Sequence, residues 1–142
     1  MIRVGVLGAG RIGQVHARTL YRLRGTRVAA VSDAVDAAAR ALAEEADADV
    51  RSTDAIVGAE DIDAIAICTP TDTDAELIEA AVRAGKPVFC EKPIDLDADR
   101  VRACLATVAE TGVPLMIGFQ RRFDPDFRAL KTALTEGRIG EI

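Results

Sequence analysis

The sequence predicts an α/β fold in which one parallel, doubly wound sheet carries helices on both faces. Short apolar runs are continuous rather than alternating, which is typical of strands buried on both sides. Segments with helical periodicity separate these runs, and the 142 residues fit one ordinary domain. Because ligands of such folds bind beyond the carboxyl ends of the strands, the residues that follow each apolar run are the candidates for function.

Five apolar runs bounded by turn residues are the predicted strands. In chain order they are Ile2–Leu7, Val28–Val31, Ile62–Cys68, Val88–Cys90 and Leu115–Ile117. A short extra strand is predicted at residues 50–51. Strand and helix alternate along the chain, which is the order expected of a parallel sheet.

Helices are predicted between the strands from the spacing of their apolar residues. One stripe marks the first helix and another marks a later one: Ile12, Val15, His16, Thr19, Leu20 and Leu23, and then Val101, Cys104, Leu105 and Val108. The alanine-rich segment 36–46 has a high helical propensity. These segments therefore complete the alternation.

Residues at the ends of the predicted helices agree with this assignment. Gly85 and Gly112 follow two of the helical patterns and are predicted to be C-terminal caps. Thr71, Asp72 and Asp97 precede helical patterns and are candidate N-caps.

The organisation changes after Ile117. The stretch GFQRRFDPDF interrupts the alternation, and a final amphipathic helix follows with four apolar residues at helical spacing: Phe123, Phe127, Leu130 and Leu134. We therefore predict one folded domain over residues 1–120 and a connecting helix over residues 121–142.

Composition and charge exclude several classes of protein. The net charge is −5 and the isoelectric point about 4.9, which disfavours nucleic acid and anionic membranes as partners. The sequence contains neither a secretory leader nor a run of about 18 apolar residues, so we predict a cytoplasmic protein. Its three cysteines lack metal-ligand spacing, which predicts reduced, packed thiols and no metal site.

A glycine motif, GAGRIG, joins the first predicted strand to the first helix. Gly8 permits a tight turn, Gly10 lets the backbone approach a diphosphate, and Gly13 allows the helix to pack closely on the strand. Together with Arg11 and Ile12, these residues form the start of a helix, where free N–H groups and the helix dipole favour an anion. The motif predicts a dinucleotide site.

Asp33 ends the second strand, 20 residues beyond Gly13. A carboxylate at this position can accept hydrogen bonds from the 2′-hydroxyl of an adenosine ribose, and it repels a 2′-phosphate. Ala34 offers no cation to replace that interaction. The pattern predicts NAD rather than NADP as the cofactor.

Two further segments follow predicted strands at the same edge. Glu91, Lys92 and Pro93 come after the fourth run, and a lysine there can donate to a substrate hydroxyl and stabilise the alkoxide that develops as hydride leaves carbon. Thr69 and Pro70, after the third run, suit a loop against the nicotinamide half of the cofactor. A surface turn is the simpler interpretation of the lysine segment, but its place after a buried strand favours function.

Three basic residues have no role assigned by their spacing. His16, the single histidine, falls on the apolar stripe of the first helix, and we predict a packed core histidine without a catalytic role. Arg121 and Arg122 form either a solvated pair at a helix entrance or a contact for an anionic or polyol ligand. The spacing leaves both interpretations open.

Four segments together resemble the Gfo/Idh/MocA family, which takes its name from glucose-fructose oxidoreductase, inositol dehydrogenase and rhizopine catabolism. They are GVLGAGRIGQVHARTL, ICTPT, AGKPVFCEKP and PLMIGFQRRFDPDF. The resemblance spans essentially the whole chain. Its most specific part is EKP after a strand, and the QRRFD stretch is most similar to the inositol dehydrogenase branch.

The resemblance implies a Rossmann fold and an NAD(P)-dependent dehydrogenase of a polyol or sugar, with myo-inositol as the expected substrate and a homo-oligomeric assembly. Lys92 matches the lysine of the family's EKP motif, which contacts the substrate hydroxyl and the nicotinamide region, and Glu91 beside it is expected to contact the cofactor. Residues 1–120 would be the dinucleotide-binding domain, and residues 121–142 would lead into a substrate domain.

The resemblance also implies a limit to what this chain does alone. Members of the family continue into a second α/β domain, which supplies an aspartate and a histidine that move the proton. Those residues are not found in this sequence. An alternative hypothesis is therefore a stand-alone module that binds NAD, or pairs with a partner subunit, without catalysis.

Overall fold

Six parallel strands form one sheet in the computed structural model of the chain, which describes residues 1–140. The strands are β1 (Ile2–Leu7), β2 (Thr26–Ser32), β3 (Asp49–Val50), β4 (Ala64–Ile67), β5 (Val88–Cys90) and β6 (Leu115–Ile117). Their order across the sheet is β3-β2-β1-β4-β5-β6. This arrangement confirms the predicted doubly wound α/β fold. The last two residues of the predicted connecting segment, 141 and 142, lie outside the described residues.

Helices separate the strands as the sequence predicts. They are α1 (Arg11–Arg22), α2 (Asp36–Ala46), α3 (Thr53–Val57), α4 (Thr71–Arg83), α5 (Ala98–Thr111) and α6 (Pro125–Thr135), with a short 3-10 turn at Gln120–Arg122. Helix α3 was not predicted, because its five residues are too few to show a period. The side chain of Ser52 caps it by accepting from the N–H of Ala55. Among residues 1–140, no helix has both the length and the hydropathy that a bilayer crossing requires.

Both faces of the sheet are packed, which explains why the apolar runs are continuous. On one face Val4, Val6 and Ala66 pack with α1 and α2. On the other face Ile65 and Ile67 pack with α3, α4 and α5. Consecutive residues of a strand point to opposite faces, so both sets must be apolar.

The apolar stripe predicted for α1 is not the face that the helix buries, so this prediction is wrong. Ile12 and Val15 are exposed, at 39% and 49%, whereas Gly13 and Ala17 are the buried residues. A Cβ on Gly13 would lie 1.9 Å from the carbonyl oxygen of Gly8. Because the helix approaches the sheet this closely, small residues rather than large apolar ones occupy its inner face.

The predicted caps agree in part with the structure. Gly112 caps α5 with φ of 65°, and Asp97 accepts from the N–H of Asp99 at the start of that helix. Thr71 and Asp72 are not caps, because Pro70 occupies the N-cap position of α4. Proline there presets the backbone without needing a side-chain acceptor.

The half of the sheet beyond β1 is open on the α1 face. A groove of about 300 Å³ lies there, lined by apolar residues that include Ala64, Ala66 and Phe89. Met116 on β6 borders it and is 48% exposed. Helix α6 has no buried residue, so its apolar stripe contributes nothing to the described core.

Candidate functional site

The glycine loop between β1 and α1 is shaped by the absence of side chains. Gly8 has φ of 97°, and its N–H donates to the carbonyl oxygen of Ser32 at 2.8 Å. A Cβ on Gly8 would lie 2.5 Å from the carbonyl oxygen of Cys68. A Cβ on Gly10, in contrast, would meet no atom within 4 Å. The loop is therefore closed against the sheet at Gly8 and open to solvent at Gly10.

The open side of this loop is suited to an anion. Gly10 is the N-cap of α1, and the first turn of that helix contains no acidic residue. The first N–H groups of a helix have no partner within it, and the helix dipole adds partial positive charge. Arg11 and Ile12 in this turn are both exposed. The residues present therefore fit the diphosphate that the glycine motif predicts.

Asp33 is hydrogen-bonded directly to the glycine loop, a contact that was not predicted. Its Oδ2 accepts from the N–H of Ala9 at 2.6 Å. Its Oδ1 accepts from the N–H of Val35 at 2.8 Å. The side chain is half-buried, and the neighbouring Ala34 is exposed and provides no cation. A single carboxylate thus orders the loop and presents negative charge at the end of β2.

The loop after β4 approaches Gly8 and contacts a buried acid in the first turn of α4. Thr69 donates its hydroxyl to Oδ1 of Asp74 at 2.8 Å, while Pro70 is exposed at the start of α4. Asp74 is only 2% exposed, and this burial raises the pKa of its carboxyl to about 6. Asp74 was not predicted as a site residue. It shares one helical face with buried Ile78 and Val82, so the periodicity of α4 contained a signal for it.

The three cysteines are buried and unpaired, which confirms the prediction of packed thiols. Burial raises the pKa of Cys68 to about 12. Burial also raises the pKa values of Cys90 and Cys104. Since the thiolate is the reactive form, these residues serve packing and not nucleophilic chemistry.

The turn after β5 exposes Lys92 and holds Glu91 inward. Lys92 and Pro93 are exposed and are joined by a cis peptide bond. Within residues 1–140 the Lys92 side chain has no hydrogen-bond or ion-pair partner, whereas Oε1 of Glu91 lies 2.8 Å from Nε2 of His16. The ammonium group is therefore available at the end of β5.

The prediction of His16 as a packed core histidine is wrong. Its side chain is 25% exposed and contacts Glu91, and its ring meets the ring of Phe89 edge-on at a centroid distance of 4.8 Å. The inner face of α1 is occupied by Gly13 and Ala17, which displaces His16 to the side of the helix that faces β5.

The two arginines after β6 have different surroundings. Arg121 pairs with Asp124 at 3.3 Å, and its guanidinium lies 4.9 Å from the centre of the Phe127 ring. These contacts favour the solvated helix entrance for Arg121. Arg122 is exposed, and its role stays open.

The strand order brings the predicted site residues to one edge of the sheet. Strands β2, β1, β4 and β5 are consecutive neighbours and parallel, so their carboxyl ends lie side by side. This carboxyl edge carries Asp33, the glycine loop, Thr69 and Lys92 in that order. It resembles the edge at which doubly wound folds bind dinucleotides.

Comparison with known proteins gives a consistent result. Residues 2–119 match the family model GFO_IDH_MocA, described as an oxidoreductase family with an NAD-binding Rossmann fold. The chain is 58% identical over 141 residues to an inositol 2-dehydrogenase of Rhizobium meliloti (strain 1021), a match that covers 99% of this chain and 43% of that protein.

Solved structures show the same likeness. Scyllo-inositol dehydrogenase from Lactobacillus casei, with bound NAD(H) and scyllo-inositol, has a TM-score of 0.93 at 32% identity, and the match covers 100% of this chain and 43% of that one. A variant 3-ketoreductase from Actinomadura kijaniata, in complex with TDP-benzene and NADP, has a TM-score of 0.89 at 33% identity, with 99% and 46% covered. The chain thus spans less than half the length of these relatives.

Proposed function

The chain belongs to the Gfo/Idh/MocA oxidoreductase family as its NAD-binding Rossmann domain, and we propose that it serves a dehydrogenase that transfers a hydride between a polyol and NAD. The observation that carries the proposal is the carboxyl edge at which the glycine loop, Asp33 and exposed Lys92 come together. Myo-inositol is the proposed substrate, supported by the inositol dehydrogenases among the relatives.

The glycine loop and Asp33 would hold the adenosine and diphosphate portion of NAD. Gly10 leaves open space at the start of α1, where unpaired N–H groups favour the diphosphate. The carboxylate of Asp33 would accept from the ribose hydroxyls and repel a 2′-phosphate. Because the related 3-ketoreductase is in complex with NADP, cofactor choice would depend on such local residues rather than on the fold.

Lys92 would act on the substrate oxygen. When bound, NAD supplies the nicotinamide carbon that accepts the hydride. Lys92 would donate a hydrogen bond to the hydroxyl oxygen and stabilise the negative charge that develops on it as the hydride departs. Thr69 and Pro70 would line the nicotinamide side of the same space.

The proton of the substrate hydroxyl needs an acceptor. No residue of this chain matches the residues that move the proton in the family that it resembles. The single histidine is His16, and its Nε2 already contacts Glu91. The family resemblance assigns proton transfer to an aspartate and a histidine of a second domain. We therefore expect the 142-residue chain to bind NAD without sustained turnover.

A binding titration and an activity assay test this proposal. Calorimetry should detect NAD binding to the 142-residue chain, and absence of binding would overturn the proposal. Formation of NADH from myo-inositol should stay at background for this chain. A polypeptide that continues past Ile142 into a carboxyl-terminal domain should be active, and Lys92→Ala should remove most of that activity. A general base typically contributes about 10²–10⁴-fold to the rate, which sets the size of the expected difference.

Turnover by the 142-residue chain alone would contradict this division of the chemistry. Binding of NAD without turnover in every longer polypeptide would instead favour the stand-alone NAD-binding module. A domain boundary near residue 120, a homo-oligomeric assembly and a cytoplasmic location stay predictions.

A further inference from the structure

His16 and Glu91 form a direct link between two separate parts of the site. His16 lies on α1, whose first residues belong to the glycine loop, whereas Glu91 follows β5 and immediately precedes Lys92. The distance from Nε2 of His16 to Oε1 of Glu91 is 2.8 Å. An ionised carboxylate can only accept, so the imidazole is the donor. One hydrogen bond therefore joins the diphosphate-binding helix to the turn that carries the lysine.

The surroundings of Glu91 favour this bond. The Glu91 and His16 side chains are only 20% and 25% exposed. The ring of Phe89 contacts the imidazole edge-on, with 4.8 Å between centroids. A Cβ at Gly118 would lie 3.1 Å from the carboxyl carbon and Oε1 of Glu91, and equally close to Cζ of Phe89. A hydrogen bond to a charged group is stronger in such a partly desolvated place than at an open surface.

These contacts fix Glu91 through its backbone and its side chain. Its N–H donates to the carbonyl oxygen of Ile67 at 3.2 Å, while its carboxylate is held by His16. The next residue, Lys92, has no partner of its own among residues 1–140. The backbone from which its side chain extends is held in part by these contacts of Glu91.

We propose that His16 is a positioning residue, which holds Glu91 and thereby places the Glu91–Lys92 turn against the nicotinamide half of NAD. This inference rests on the proposed function. It predicts that loss of the His16 donor weakens only the part of cofactor binding that depends on the nicotinamide. The adenosine and diphosphate half would be held by the glycine loop and Asp33, and among residues 1–140 the His16 side chain makes no hydrogen bond to either.

A comparison of NAD with ADP-ribose, which lacks the nicotinamide, tests the inference on this chain. Wild type should bind NAD more tightly than ADP-ribose. His16→Leu should weaken NAD binding about fivefold to tenfold, less than direct loss of a hydrogen bond between protein and ligand charge would, because His16 acts through Glu91, and it should change ADP-ribose binding less than about twofold. His16→Gln keeps an N–H donor and should restore most of the NAD affinity.

Two further variants separate positioning from a general effect on the fold. Thr19→Leu introduces the same residue on an exposed position of α1 and should leave both affinities unchanged. Gly118→Ala should push on the Glu91 carboxylate and on the Phe89 ring, which both lie 3.1 Å from the added Cβ, and should also weaken binding of NAD but not of ADP-ribose.

Three results would overturn the inference. They are an equal loss of both ligands in His16→Leu, no loss of either ligand, and no difference between NAD and ADP-ribose in wild type. If wild type binds neither ligand, the proposed function fails and this inference fails with it. A wild type that binds NAD while His16→Leu binds it equally well rejects only the role of His16.

Discussion

The two halves of the sheet hold their parts of the site in different ways. Around β1 and β2 the contacts involve the backbone: the N–H of Gly8 donates to Ser32, and the N–H of Ala9 donates to the carboxylate of Asp33. Around β4 and β5 they join side chains, in the pairs Thr69–Asp74 and His16–Glu91. In the first half each contact therefore has a backbone N–H of the glycine loop as its donor, whereas in the second half two side chains meet.

The two halves of the sheet also differ in whether helices pack over them. Helices α1 and α2 pack over β1 and β2, whereas the same face of β4, β5 and β6 forms an open groove. An added Cβ at Gly8 or Gly13 in the first half should therefore clash with the backbone, whereas a change at Asp74 or Glu91 in the second half should alter charge or hydrogen bonding. The following predictions test this contrast.

The largest effect is expected at Gly13. A Cβ there would lie 1.9 Å from the Gly8 carbonyl oxygen, so α1 must move away from the sheet. Gly13→Ala should lower the free energy of unfolding by more than about 3 kcal/mol, since backbone atoms cannot yield as side chains do, and should abolish NAD binding. Chemical denaturation and calorimetry measure the two quantities.

Gly10→Ala is the matched control in the same loop. Its Cβ would occupy open space, so the free energy of unfolding should stay unchanged while NAD binding is lost. If both alanine variants destabilise the fold equally, the distinction between a packed and an open glycine is wrong.

The next effect concerns Asp74 in the second half. Burial raises the pKa of its carboxyl from 3.8 to about 6, so its contribution to stability is fully present below about pH 3.8 and is lost as the pH rises through about 6. The amide of an asparagine at this position cannot ionise. The stability of Asp74→Asn relative to wild type should therefore increase across this window, by at most about 3 kcal/mol. Denaturation of both proteins from pH 4 to pH 8 measures it, and a difference that does not change with pH would contradict the prediction.

A smaller effect is expected on the preference for NAD over NADP, which depends on Asp33. Wild type should bind NAD at least about tenfold more tightly than NADP, or roughly 1.4 kcal/mol, because a 2′-phosphate would face a carboxylate without a cation beside it. Asp33→Asn removes the charge and keeps an acceptor for the N–H of Ala9. It should therefore reduce the difference between the affinities for NAD and NADP. Asp33→Ala also removes that acceptor and should weaken NAD binding itself. Equal affinities of wild type for NAD and NADP, measured by calorimetry, would reject the assignment.

The smallest effect is expected on α6, outside both halves. Leu130 is 51% exposed and α6 has no buried residue, so Leu130→Ala should change the free energy of unfolding by less than about 0.5 kcal/mol. Ile78→Ala, at a fully buried position of α4, should cost about 2–5 kcal/mol. Similar decreases in the free energy of unfolding of the two variants would show that α6 packs on the domain in solution.

The same contrast explains what could be predicted from the sequence. The glycine loop and Asp33 were predictable because a tight turn and a close helix require glycine at fixed spacing, and an acid must follow at the end of the next strand. The strands were predictable because burial on both faces requires continuous apolar runs. Such requirements are local, so they leave a pattern within a few tens of residues.

The side-chain pairs could not be predicted in this way. His16 and Glu91 are 75 positions apart, and nothing in either segment indicates the other. The contact depends on how closely α1 approaches the sheet, which was itself misjudged because Ile12 and Val15 were expected to face inward. Asp74 left a partial signal in the period of α4. Long-range polar contacts therefore need the structure.

The outer strands of the sheet have a consequence for handling the protein at high concentration. Strands β3 and β6 contain only two and three residues. A long unpaired strand can template the addition of another chain, whereas short outer strands offer too few free backbone groups for aggregation by this route. Extension of the sheet through β3 or β6 is therefore not expected to limit the concentration at which the protein stays dispersed.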